Sequence, residues 1–215
     1  MIKAYWEIEV YDRNGKLISK HRQECKSLLA NFIRILRGML LAKGGYALYG
    51  TEGVKASCIV KKYDGSSADA WTEYYGEYKI GGGTPMGAKA PDNDDSYGIM
   101  VGTGTTVVGI DDYTLESKIS HGTGSGQLDY DTHTINKYEE SGKVRIEITR
   151  TFKNVSGATI TVKEVGLGVR NYWKCEDGVR NDLKFLIVRD LLDTPRDVPD
   201  GGSLTVKITI IVHTG

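Results

Sequence analysis

The sequence predicts a mainly β protein: an antiparallel β-sandwich, jelly-roll-like, with one N-terminal amphipathic helix. Three observations carry this. Apolar and polar residues alternate with period two in segment after segment. Gly, Asn and Asp cluster between those segments as turns. Only one stretch shows helical spacing, whereas an α/β chain alternates strands with helices of about 10–15 residues. One large β domain over 1–215 is expected, with the hairpin and helix at about 4–42 packed on it.

The first strand is read over 4–11, where Ala4, Trp6, Ile8 and Val10 share a face. Asp12-Arg13-Asn14-Gly15 turns it into a partner at 16–22, because Asn-Gly tolerates positive φ. Leu28, Leu29, Phe32, Ile33, Ile35, Leu36, Met39 and Leu40 then recur at helical spacing. The helix is placed at about 28–42, with Ser27 as N-cap and Gly44 as stop. Its wide apolar stripe calls for a sheet or a neighbouring subunit. A strand follows at 54–63, Asp64-Gly65 turns, and the aromatic run 71–80 is a further strand candidate. Residues 81–98 read as a long loop, a feature of functional or mobile segments.

In the second half, strand segments 99–101 and 107–110 flank Gly102-Thr103-Gly104-Thr105-Thr106. Strands are expected at about 127–138, 143–153 and 158–169. In 143–153, Val144, Ile146, Ile148 and Phe152 share a face with Arg150. Near Glu164-Val165 the apolar parity flips, which suggests a bulge. Leu183–Leu192 is apolar on both faces. The last strand turns Leu204, Val206, Ile208, Ile210 and Val212 inward and leaves Ile211 outward for a partner.

Lys+Arg and Asp+Glu each number 28, so there is no basic field for nucleic acid. No apolar run reaches the roughly 18 residues of a membrane span, and no signal peptide is visible. The three cysteines, Cys25, Cys58 and Cys175, lack CxxC spacing and are odd in number. Free thiols and a reducing compartment during folding are the expectation.

No motif carries catalysis or a cofactor. Gly102–Thr106 could cradle phosphate, yet the Lys-Ser/Thr of a P-loop and the third glycine of a dinucleotide fingerprint are both absent, so a structural turn is expected. Asp92-Asn93-Asp94-Asp95-Ser96 offers oxygens to calcium, but Tyr97 stands where an EF-hand needs Gly. A solvated acidic loop is the expectation there, as at Asp111-Asp112 and Asp129/Asp131. His21, His121, His133 and His213 form no pair at ligand spacing. Asn154-Val155-Ser156 is a glycosylation sequon. Trp71, Tyr74 and Tyr75 head an aromatic cluster within 46–97 that suits an interface or a sugar platform.

Residues 99–212 resemble structural proteins of tailed phages and archaeal viruses: tail-fibre, appendage, capsid-decoration and turret-like proteins. The resemblance rests on Val101–Thr106, Asp112-Tyr113-Thr114-Leu115-Glu116 with Ile119, and Arg150-Thr151-Phe152-Lys153-Asn154. It continues through Ser156–Leu167, Leu186-Ile187-Val188-Arg189-Asp190 and Val198–Val206. The segment 171–182, with Trp173 and Cys175, departs from it. The resemblance implies a β-sandwich assembling into a ring or trimer in a virion, and it implies no catalytic residue. The partners expected are copies of itself, other virion proteins and, as the alternative, a host-surface glycan, with the chain made in the host cytoplasm.

The function expected is therefore a virion structural protein. The alternatives are a carbohydrate-binding or receptor-binding domain and, more remotely, a hydrolase with an acidic pair. The expected contacts are Phe32, Ile33, Leu36 and Leu40 on the helix, Trp71, Tyr74 and Tyr75 in the aromatic cluster, Ile211 on the last strand, and the 81–98 loop.

Overall fold

The computed structural model describes residues 2–41, 57–71, 87–174 and 180–213. The chain is mainly β, and its sheets are antiparallel. The first hairpin is β1 (Ile2–Tyr11) and β2 (Leu17–Glu24). Its turn is tied by the Asp12 carboxylate, which accepts the N–H groups of Asn14 (2.8 Å) and Lys16 (2.9 Å). Of the Asn14-Gly15 pair, Gly15 alone takes positive φ, 76°, and the register slips beside Tyr11. This is a bulged turn rather than a two-residue one.

The helix α1 spans Ala30–Leu41, twelve residues. It is central and short rather than N-terminal, because the hairpin precedes it and is built into a sheet. Ser27 is not its cap: the Ser27 carbonyl accepts the Arg189 N–H and Leu28 bridges to Val188. The first free amides of the helix are met instead by backbone, Leu29 N–H on Ile187 O and Ala30 N–H on Ile110 O. Buried Asn31 then ties α1 down. Its amide exchanges two 2.9 Å hydrogen bonds with the Lys61 backbone and donates to Leu186 O at 3.0 Å.

β3 (Ser57–Lys61) and β4 (Ser67–Trp71) form a hairpin under α1. β5 is Gly98–Gly102, buried throughout. The strand expected over 127–138 is two: β6 (Asp129–Tyr130) and β7 (Thr134–Glu140). His133 turns inward between them and breaks the ladder. β8 (Lys143–Lys153), β9 (Ile160–Lys174), β10 (Arg180–Val198) and β11 (Ser203–His213) complete the chain. Among the described residues, the larger sheet runs β2-β1-β11-β8-β6, with β7 also paired to β8, and a second sheet runs β10-β9-β5. The bulge read near Glu164-Val165 lies next to a register shift between β9 and β10, where Glu164 pairs with Leu191 and Val162 with Arg196.

One apolar cluster draws on both of these sheets. Trp6, Ile8, Phe152, Leu204 and Val206 from the first meet Val162, Val165, Leu167, Val188 and Val198 from the second. Such burial supplies most of the folding drive, about 25 cal/mol for each Å² withdrawn from water. Ile211 lies on the opposite face from this cluster, as expected, yet it is only 8% exposed. Its register neighbours Lys3 and Arg145 flank it. They belong to a face laced by ion pairs from Arg22–Glu7 through Lys207 to Arg145–Glu147. Long charged side chains cover apolar surface with their stems, so this residue is covered from within the chain.

The sequon is structural. Asn154 is fully buried; its Nδ2 donates to Ala158 O and Val198 O, both at 2.8 Å, and its Oδ1 accepts from Ser156. The nitrogen a glycan would need is thereby committed. Asn154→Asp sets a carboxylate against two carbonyls and is expected to lower stability by about 2–4 kcal/mol. Urea denaturation checks this; a change under about 0.5 kcal/mol would contradict it.

Candidate functional site

Both loops that read as ligand cradles are occupied by charged side chains of the same chain. The first is the 91–99 segment. Arg150 stands at an inward position of β8, 1% exposed, in line with Ile148 and Phe152. Its guanidinium donates to five backbone carbonyls: Asp131 (2.8 Å), Asp94 (2.7 Å), Pro91 (3.1 Å), Ile99 (3.3 Å) and Tyr97 (3.4 Å). Its flat face lies 4.6 Å from the Tyr130 ring centroid. Burial holds this guanidinium below its ordinary pKa, but an arginine stays protonated at any pH a protein survives.

The acidic stretch 92–96 is therefore gathered around a protein-borne cation. Carbonyl oxygens of the kind a calcium ion would use, at Pro91 and Asp94, point at Arg150. The carboxylates turn elsewhere. Asp94 closes a local turn on Ser96, and Asp95 accepts the His121 N–H (2.7 Å) and pairs with Lys118 (3.1 Å). Asp131 pairs with Lys153 and Asp129 faces His121. Among the described residues no group of three or more His, Cys, Asp or Glu side chains is placed to hold a metal.

The second cradle is the Gly-Thr-Gly-Thr-Thr loop. Its amides do converge on an anion, and the anion is glutamate. Glu164 on β9, 0% exposed, accepts the N–H groups of Gly104 (3.0 Å), Ser117 (2.8 Å) and Glu116 (3.1 Å). Glu116 accepts those of Thr105 (2.5 Å) and Thr106 (2.6 Å) and the Thr106 hydroxyl. These bonds, the hydroxyl's foremost, hold the Glu116 carboxyl below its ordinary range. Gly104 is required by this approach: a Cβ there would lie 2.5 Å from Glu164 Oε1 and 2.6 Å from Glu116 Cβ.

Arg189 from β10 closes the arrangement. It donates to Glu164 (2.9 Å), Asp112 (2.6 Å) and Thr106 O (3.2 Å) while 3% exposed. Desolvation works against this cation, and its bonds to Asp112 and Glu164 outweigh it, raising its pKa. The strand expected over 107–110 is absent for this reason. With Thr106 and Asp112 both fastened to Arg189, the chain between them loops outward, leaving Val107 83% and Ile110 64% exposed. A cleft of about 230 Å³ opens beside Arg189, lined also by Tyr113 and Thr114.

His133 completes the interior of the first loop. Its Nε2 accepts the Ile99 N–H at 2.6 Å, so Nδ1 carries the proton and faces Ala90 O at 3.2 Å. Gly98 makes room for the ring: it sits at φ 81°, and a Cβ would lie 2.2 Å from His133 Cε1. Burial, then the nearby Arg150 charge, lower the His133 pKa from 6.5 to about 4. The folded chain thus refuses a proton that the unfolded chain takes up. Stability is intact above about pH 6.5 and falls as pH drops toward 4, by about 3 kcal/mol at most from this group. Urea midpoints at pH 7 and pH 4 test it. The gap between wild type and His133→Gln should shrink by that amount on acidification; a gap independent of pH would refute it.

Comparison with protein-family models, curated proteins and solved structures finds no match to this chain.

The expected contact residues separate into three groups. Ile33 and Leu36 are exposed on α1, 56% and 41%, and Phe32 is half-buried. Ile211 is covered, as described above. The side chains of Leu40, Trp71, Tyr74 and Tyr75, and residues 81–86 of the long loop, lie outside the described residues. So do Cys58, Cys175 and His213 as side chains. Cys25 is a free thiol whose pKa is pushed up by burial and by Asp190, which leaves it a poor nucleophile. Asp190 itself accepts from Trp6 Nε1 at 2.8 Å.

Sequence reading missed Arg150, Glu164 and Arg189 as a set. The signal was present as charge at inward positions: Arg150 on the apolar face of its strand, Glu164 in phase with Ile160 and Val162, and Arg189 inside the apolar run 183–192. Charged residues are almost never fully buried unless paired, so each marks a partner elsewhere in the chain.

Proposed function

We propose that this chain is a structural subunit of a virion, in a capsid, capsid-decoration or tail assembly, with its two main sheets stacked as a jelly-roll-like sandwich. The observation that supports this is the filling of both loop cradles by Arg150, Glu164 and Glu116. Groups that would recognise a small ligand are used to fix the shape of the loops. A rigid loop that presents Val107 and Ile110 to solvent suits contact with another protein. The resemblance of residues 99–212 to phage and archaeal-virus structural proteins supplies the viral context.

Light scattering with negative-stain microscopy on the recombinant chain at micromolar concentration tests the assembly role. Symmetric oligomers are expected, and an antibody against the chain should decorate virus particles purified from the source. A strict monomer, together with unlabelled particles, would overturn the reading.

A further inference from the structure

We infer that the outward face of α1 is a contact between two copies of this chain, related by a two-fold axis with the helices antiparallel. The inference rests on the assembly reading and gives it a surface. On α1, Asn31 is buried and Ile35 packs inward, while Ile33, Leu36 and Arg37 face out. Ile33 and Leu36 stand three apart and form one stripe. Ile110, 64% exposed, lies at the start of the helix, where its carbonyl accepts the Ala30 N–H. With Leu28, 42% exposed, Ile110 walls a cleft of about 220 Å³.

The rim decides what covers this surface. Its charges are split along the helix. Asp111 lies beside the first half, 3.3 Å from Arg34 and still 61% exposed. Arg37 lies toward the other end and has no ion-pair partner among the described residues. A rim of one sign would call for a partner of the opposite sign. A split rim is complementary to itself: an antiparallel copy brings Arg37 of each chain toward Asp111 of the other, which is what a two-fold contact requires. Among the described residues β7 pairs only with β8, and its other edge is a competing surface, but it carries Lys137 at its middle, and a charged edge discourages strand addition.

Sedimentation equilibrium of the full chain tests this, with Ile33→Glu, Arg37→Glu, Asp111→Arg and the Arg37→Glu/Asp111→Arg double variant. Wild type should self-associate, and Ile33→Glu should weaken the association about 100-fold. Each charge reversal should weaken it about 10-fold, and the double variant should recover most of that loss. All these positions lie outside the core, so thermal melting should report an unchanged fold. A wild type that stays monomeric overturns this contact, and the assembly reading then rests on the labelling of virus particles. Self-association untouched by Ile33→Glu overturns this contact alone. Weakening by Ile33→Glu without recovery in the double variant overturns the antiparallel arrangement.

Discussion

Glu164→Gln is expected to lower the free energy of unfolding by about 4 kcal/mol, although it changes a single atom. The carboxylate accepts four hydrogen bonds, two on each oxygen: Gly104 and Ser117 on Oε1, Glu116 and Arg189 on Oε2. An amide keeps one acceptor oxygen. Whichever way it turns, its NH₂ faces two N–H donors, and both lose their partner inside the protein. Arg189 also loses its most buried counter-charge, and breaking one side of a buried pair costs several kcal/mol. Asp112→Asn is the control. Asp112 contacts the same guanidinium at 2.6 Å, but its side chain is 28% exposed, so water replaces what is lost. Its cost should stay near 1 kcal/mol. Urea denaturation of the two variants separates them; equal costs would show that burial of Glu164 is not what matters.

The second large effect is Arg150→Met, expected to cost about 3–5 kcal/mol. Methionine fills the stem and leaves the five carbonyls without their donor. Carbonyls that can reach water, near Pro91 and Asp94, will do so by moving. Those of Tyr97 and Ile99 lie at buried residues and cannot. The loss should therefore be uneven: amide exchange quickens across 91–97 by more than the global destabilisation accounts for. Arg150→Lys should recover little, because one ammonium cannot span five acceptors arranged around a planar fork. A lysine variant as stable as wild type would show that charge alone holds the loop.

These effects bear on why some of the fold was legible in the sequence and some was not. β8 and β11 match their predicted spans closely, since over Ile148–Phe152 and Leu204–Ile208 buried residues alternate with partly exposed ones. Alternation is a local signal, and burial on one face enforces it. The segments that defied reading are those whose partners are far along the chain. Val107–Ile110 has strand composition, but its path is set by Arg189 and Glu116. The Ser27 cap is chemically sound, yet strand β10 reaches that backbone first. The 127–138 strand breaks where His133 finds a cavity built by Gly98, 35 residues upstream. In each case a long-range hydrogen bond overrode a local preference. The candidate site was half legible: both loops were recognised as turns that resemble cradles, while the side chains that fill them were not.

Native-state hydrogen exchange, followed amide by amide, tests most directly whether buried charges hold these loops. In wild type the Gly104, Glu116 and Ser117 amides should exchange as slowly as the β1–β11 ladder. In Glu164→Gln their protection should fall by about 100-fold beyond the change in that ladder. Wild-type Gly104 and Ser117 amides that exchange at the rate of an unstructured chain would contradict the assignment of Glu164 as the anion in this loop.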